Sequence, residues 1–263
     1  MTAAVVLALA LAASADHTVG DDFAVAIGSG NLAAVKELVE GGADVDTVIG
    51  EGMVAMTPLI KASWEGRRDI IKYLLAKGAN VNAHNGDGQT ALMQAVVRGF
   101  DDVVELLITG GADVKARDSR GMTAFVFAAD SAALEIADVL IKHGADPDAV
   151  DSSGITALMT AADQGNEEVV RYLVKAGAKV NKITQLEYGG QTPLTGAAMM
   201  GQVGTVKALL ELGADPALKM KDGATALSNA KENGNQEVIA LITAALAKPA
   251  RPARAAAPAK PKQ

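Results

Sequence analysis

Three histidines, His17, His84 and His143, are the side chains best suited to carry protons near neutral pH. Catalysis or metal binding requires several such groups to converge, and these three stand in unrelated contexts. His17 precedes the regular part of the chain. His84 stands just before Asn85-Gly86-Asp87-Gly88, in a turn between repeats. His143 stands just before a glycine that ends an apolar helical stretch, where a cation suits the helix dipole. There is no cysteine, which excludes disulfides, thiolate nucleophiles and Cys-ligated zinc. Asp44, Asp113, Asp146 and Asp215 suggest a row of carboxylates, yet each belongs to a recurring Gly-Ala-Asp, which gives it a structural role. Gly50-Glu51-Gly52 and Gly86-Asp87-Gly88 resemble pieces of a phosphate-binding loop, but lack the preceding strand and the full glycine spacing, and read as turns. No catalytic residue, metal site or cofactor is expected, and the chain reads as a non-enzyme.

The elements behind these residues repeat. Thr57, Thr90, Thr123, Thr156, Thr192 and Thr225 are spaced by 33, 33, 33, 36 and 33 residues. A glycine follows each of the first five by 21 residues, at Gly78, Gly111, Gly144, Gly177 and Gly213. Counting back from Gly42 puts the start of a degenerate first unit at Asp21, so seven units run to about Ala247. Each unit opens on a residue able to cap a helix by accepting a hydrogen bond from a free amide, a role this register gives to Asp21 in the first. Pro58 and Pro193 follow at the first helical position, where a missing N–H costs nothing. A short apolar helix ends at a glycine nine residues after the threonine: Gly66, Gly99, Gly165, Gly201 and Gly234, with Gly30 in the first unit. A second helix carries apolar pairs at helical spacing, such as Ile70-Ile71 with Leu74-Leu75 and Val103-Val104 with Leu107-Ile108. The fourth unit has Ala132 in place of its inter-helix glycine, so that turn is expected to distort.

Units such as TPLIKASWEGRRDIIKYLLAKGANVN resemble ankyrin repeats in their Thr-Pro-Leu start, inter-helix glycine, paired apolar second helix and Gly-Ala-Asn close. The resemblance spans about residues 21–247. It departs at the motif histidine, whose positions hold Ile60, Met93, Val126, Met159, Thr195 and Ser228, and at Thr205, a normally apolar site. It implies an all-α solenoid of stacked helix–turn–helix units with inter-repeat β-hairpin loops, and noncatalytic binding of a protein partner through a concave face formed by hairpins and first helices. No unit can bury its apolar face alone, so stacking supplies the core.

Specificity is expected where the pattern breaks. Two junctions, Gly42 to Thr57 and Gly177 to Thr192, are 15 residues long where the others are 12. Their segments, Asp46–Met56 (DTVIGEGMVAM) and Asn181–Gln191 (NKITQLEYGGQ), contain Met53, Met56 and Tyr188. Positions seven and eight after each threonine fall at the exposed end of the first helix. They hold Trp64 and Glu65, Val97 and Arg98, Met199 and Met200. The sole tryptophan thus stands at a surface site, and such rings are enriched at binding hot spots. Trp64, Glu65, Met53, Met56, Arg98, Tyr188, Met199 and Met200 are the expected partner-binding residues. The alternative is that Trp64 packs on a neighbouring unit and the long loops only buttress the stack.

The ends differ from the body. Ala3 to Ala13 is an unbroken apolar run of 11 residues, too short to span a membrane. With Ala13-Ser14-Ala15 after it, the segment 1–15 reads as a secretory signal peptide cleaved after Ala15, although no Lys or Arg lies near Met1. This places the protein in a periplasm or outside the cell; read instead as an Ala-rich first helix, the segment leaves it cytoplasmic. Residues 248–263 are rich in Pro and Ala with five cations and no acid, and read as a disordered basic tail. The remainder holds 19 basic against 31 acidic residues, which argues against nucleic acid as a partner. A monomeric, exported scaffold is expected. An accessory or stress-protection factor for an envelope enzyme, and a secreted effector of host proteins, remain as alternatives.

Overall fold

The computed structural model describes residues 18–184 and 189–248. The signal-peptide and tail readings, together with His17 and Tyr188, lie outside these residues. Among them are fourteen α-helices in seven antiparallel pairs. The first five pairs are α1 (Val19–Gly28) with α2 (Leu32–Glu40), α3 (Pro58–Trp64) with α4 (Arg68–Ala76), α5 (Ala91–Arg98) with α6 (Asp101–Thr109), α7 (Ala124–Asp130) with α8 (Leu134–Lys142), and α9 (Ala157–Gln164) with α10 (Glu167–Lys175). The last two are α11 (Pro193–Met199) with α12 (Val203–Glu211), and α13 (Ala226–Asn233) with α14 (Gln236–Leu246).

The caps fix the register. The hydroxyls of Thr57, Thr90, Thr123 and Thr156 accept hydrogen bonds from the amides three residues on, at 3.3–3.4 Å. Thr192 and Thr225 form reciprocal boxes with Thr195 and Ser228. Each such cap is worth about 1 kcal/mol. Pro58 and Pro193 occupy the first helical turn, as their fixed φ favours. The first unit corrects the expected register. Its cap is Thr18, not Asp21, because the Asp21 carboxylate reaches back to the Thr18 amide while its own amide donates to the Thr18 hydroxyl.

The turn at Ala132 also differs from expectation. Ala132 takes the left-handed conformation, with φ 55°, and the turn keeps its shape. The Ala133 amide donates to the Ala128 carbonyl at 2.8 Å, matching Phe100 to Ala95 at 3.0 Å in the preceding unit. Packing around the turn prevails over the alanine's preference, which is a local penalty of about 1 kcal/mol.

The core is made of small aliphatic layers. Leu59, Ile60 and Ala62 of α3 and Ile70, Ile71 and Leu74 of α4 are buried, as are Leu92, Met93 and Val96 of α5 and Val103, Val104 and Leu107 of α6. Of the positions that lack the motif histidine, Ile60, Met93, Val126, Met159 and Thr195 are buried and Ser228 is half-buried. Thr205 is buried in α12 with no partner for its hydroxyl among the described residues.

The chain divides into two compact units. The first holds the described residues up to Ala161 together with Glu168–Lys179. The second holds Ala162–Glu167 and the residues from Val180 onward.

Candidate functional site

The loops between helix pairs are braced before they carry anything else. In the first unit the turn tips are linked through their backbones. The Gly86 amide donates to the Ala55 carbonyl at 3.0 Å, Ser119 to Asp87 at 3.0 Å, and Ser152 to Arg120 at 2.8 Å. Asn85, Asp118 and Asp151 each accept from two amides of their own turn, closing the tip. Among the described residues, isolated antiparallel bridges pin Ile49 to Met56, Val150 to Thr156 and, in the second unit, Lys219 to Thr225.

The carboxylate row has the structural role its motif implies. The carboxylates of Asp44, Asp113, Asp146 and Asp215 each accept from the amide two residues on. A second series joins neighbouring helix pairs. Asp46 accepts from the Asn80 amide, Asn82 from Asp113, Asp148 from Lys179 and, in the second unit, Asn181 from Asp215. These contacts hold the turns in fixed order, so side chains mounted on them are preorganised.

On this frame the first long loop exposes apolar groups. Gly52–Val54 forms one 3₁₀ turn, closed behind by the Ile49–Met56 bridge. Ile49 is buried, whereas Val48, Met53 and Val54 are 61%, 72% and 67% exposed. The loop lies close against the next one: a Cβ on Gly86 would stand 2.5 Å from the Met53 Cα. Met56 is half-buried, so it contributes to both the bridge and the surface.

At the ends of α3 and α5 a stack of planar groups forms. The Arg98 guanidinium lies 4.7 Å from the Trp64 ring centre and 5.9 Å from that of Phe100. Phe100 itself covers the Gly66 turn, where a Cβ would come within 2.9 Å of the ring. Trp64 keeps 37% of its surface exposed and Val97 40%. Glu65 pairs with Lys61 at 3.1 Å, one helical turn back. Trp64 therefore packs partly on the adjacent helix pair while keeping an accessible face. Phe100 was not among the residues singled out from the sequence. Its signal was an aromatic at a position where other units carry Arg67, Ala133, Asn166, Gln202 and Asn235.

The second unit carries its own exposed group. Met199 and Met200, at the end of α11, are 43% and 51% exposed, and Ile183 in the second long loop is 41% exposed. The Met199 carbonyl accepts from the Asn233 side chain at 3.1 Å.

Among the described residues the candidate acids and bases do not converge. His84 Nδ1 stands 2.9 Å from the Gly88 carbonyl, to which it must donate, and its ring braces its own turn. His143 is exposed at the end of α8. Among the described residues no group of three or more His, Asp or Glu is placed to hold a metal ion. A shallow depression near α7 is lined by Val114, Lys115, Arg117, Thr123, Asp146 and Ala149, with no histidine. Asp163 has its carboxyl raised above the ordinary range by burial, and its Oδ1 has no hydrogen-bond partner among the described residues. Tyr172 is raised by burial and by its hydrogen bond to Asp138 at 2.8 Å. The Tyr172–Asp138 pair is exposed at the surface.

A braced series of turns and first-helix ends, presenting apolar and cationic side chains, defines a repeat scaffold for protein interaction. Comparison with known proteins gives its family. The family model described as ankyrin repeats (three copies) matches residues 23–118, 78–151, 102–184 and 125–220. The chain belongs to the ankyrin repeat family. The ankyrin repeat domain of Bcl-3, described as a unique member of the IkappaB protein family, is similar in structure with a TM-score of 0.76 and 29% identity, over 88% of this chain and 100% of that one. The human ankyrin repeat and KH domain-containing protein 1 is 46% identical over 55 residues, which is 21% of this chain and 2% of that protein. This chain thus spans a small fraction of that relative's length. Among the described residues no helix is long and apolar enough to cross a membrane.

Proposed function

We propose that this protein is a noncatalytic scaffold that holds a protein partner on its long loops and first-helix ends. The observation that carries the proposal is the loop Asp46–Met56, which presents Val48, Met53 and Val54 to solvent from a hydrogen-bonded frame. Exposed apolar groups cost solubility, and their concentration on a braced loop fits a binding surface. Preorganisation lowers the entropy lost on association, so a modest patch suffices for useful affinity. Trp64, Glu65, Arg98 and Met56 extend the surface in the first unit, and Met199 and Met200 form a second contact in the other. Tyr188 belongs to the same proposal as part of the second long loop.

The test is capture of the natural partner by the chain beginning at Asp16, beside a variant with Val48, Met53 and Val54 all changed to Ser. The expected result is loss of the captured partner with an unchanged melting temperature. Capture at wild-type levels by the folded variant contradicts the proposal.

The proposed compartment is outside the cytoplasm, after removal of residues 1–15. The support is the 11-residue apolar run followed by Ala13-Ser14-Ala15, and the absence of cysteine. Amino-terminal sequencing of the protein from its own cells should begin at Asp16; a start at Met1 or Thr2 contradicts it.

A further inference from the structure

We propose that Arg98 is the receiving group for a partner carboxylate, and that the partner segment is an acidic peptide with an apolar side chain beside the acid. This rests on the scaffold reading above and names the chemistry its surface recognises. Arg67, Arg68, Arg117 and Arg120 each donate to an acceptor within the fold: to the Ile27 and Gly28 carbonyls, to Asp102, to the Val150 carbonyl and to Asp118. Arg98 differs. Its guanidinium is held between the Trp64 and Phe100 rings and has no ion pair or hydrogen-bond acceptor among the described residues. Stacking uses the face of the guanidinium and leaves the N–H donors at its edge.

Two of the nearby acids are already committed, and the third, Asp101, makes no ion pair with Arg98. Glu65 is held by Lys61 at 3.1 Å, and Asp102 by Arg68 at 3.2 Å. The cation is therefore exposed, lies against two rings and has no ion-pair partner among the described residues. Planar donors arranged in this way match a carboxylate with two parallel hydrogen bonds. With Lys61 neutralised, a single fixed cation suits one carboxylate better than a phosphoryl group, which carries nearly two charges. The exposed faces of Trp64 and Val97 beside it supply an apolar seat, so the acid should be flanked by an aliphatic or aromatic residue.

The test uses a phage-displayed library of random dodecapeptides selected on the full chain, with resynthesised peptides titrated through the emission of Trp64, the sole tryptophan. Enriched peptides should place Asp or Glu next to an apolar residue. Arg98→Gln should weaken their binding by roughly tenfold or more, and Arg98→Lys by less, since it keeps charge and loses the planar fork. Both variants should melt with the wild type; should Arg98→Gln prove unstable, the graded loss in Arg98→Lys and an Asp→Asn change in the peptide decide the question. Enriched peptides that lack an acid, or that bind Arg98→Gln as well as wild type, overturn the proposal while leaving the scaffold reading intact. An absence of enrichment also overturns it, and the scaffold reading is then judged on the loop variant alone.

Discussion

The unit that begins at Thr90 and the junction that precedes Thr57 are built on the same frame and differ in what they show to water. From Ala91 to Val96 every side chain of α5 is buried, and its following helix buries Val103, Val104 and Leu107. The junction has three extra residues and exposes Val48, Met53 and Val54. Regular positions therefore carry stability, and departures at the surface are where we propose that recognition lies. Departures in the interior, such as Ala132, Thr205 and Asp163, carry a cost with no visible return.

Substitutions can sharpen or break this contrast. The largest effect is expected in the regular unit. Leu107→Ala should lower stability by about 3 kcal/mol through lost burial and a cavity, read from denaturant melts. A loss below 1 kcal/mol would show that the layer repacks and that regularity is not what holds the stack. Next is the bracing between pairs. Asn82→Ala removes the acceptor for the Asp113 amide and the donor to the Gly111 carbonyl, and should cost about 1–2 kcal/mol. An unchanged melt would mean that water replaces both bonds.

Interior departures should respond in the opposite direction. Thr205→Val replaces an unpaired buried hydroxyl and should add about 1 kcal/mol. Ala132→Gly relieves the left-handed alanine and should add about 0.5–1 kcal/mol, less than the full penalty because glycine also loosens the unfolded chain. If either variant melts lower than wild type, the corresponding cost has been misassigned.

The smallest effect depends on pH. Burial raises the Asp163 carboxyl, so the folded chain holds that proton more tightly than the unfolded chain. Stability from this group is thus present below the ordinary carboxylate range and is lost as pH rises through the raised value. Asp163→Asn should raise the melting temperature at pH 7, and the gain should vanish as pH falls below about 4. A gain that persists in acid would point to packing against Gly196 rather than to charge.

Much of the fold was legible in the sequence because each repeat carries its own physical markers. The threonine caps, the prolines at first helical positions and the glycine spacing mark α3 to α14 along the chain. The first unit was harder. Asp21 holds the place of the threonine in the register, yet Thr18 and Asp21 together form a box that starts the helix earlier. Spacing alone does not distinguish a cap from its partner three residues on. At Ala132 residue type suggested distortion, and the surrounding helices held the turn.

The candidate surface was legible by position and not by contact. Counting from each threonine located Trp64, Arg98, Met199 and Met200 at helix ends, and the extra triplets located Met53. The stack of Trp64, Arg98 and Phe100 joins residues of two helix pairs, so no local pattern announces it. Nor does any motif reveal that Arg98 has no ion-pair partner among the described residues, where Lys61 pairs with Glu65 and Arg68 with Asp102.

On the proposed reading, the partner sits on the pattern's surface departures while the regular helices only support them. Amide hydrogen exchange of the full chain, free and with its captured partner, tests this most directly. New protection should concentrate at residues 46–56 and at the ends of α3 and α5, with α4 and α6 unchanged. Protection centred on α4 and α6, with the loop exchanging as in the free chain, would contradict the account.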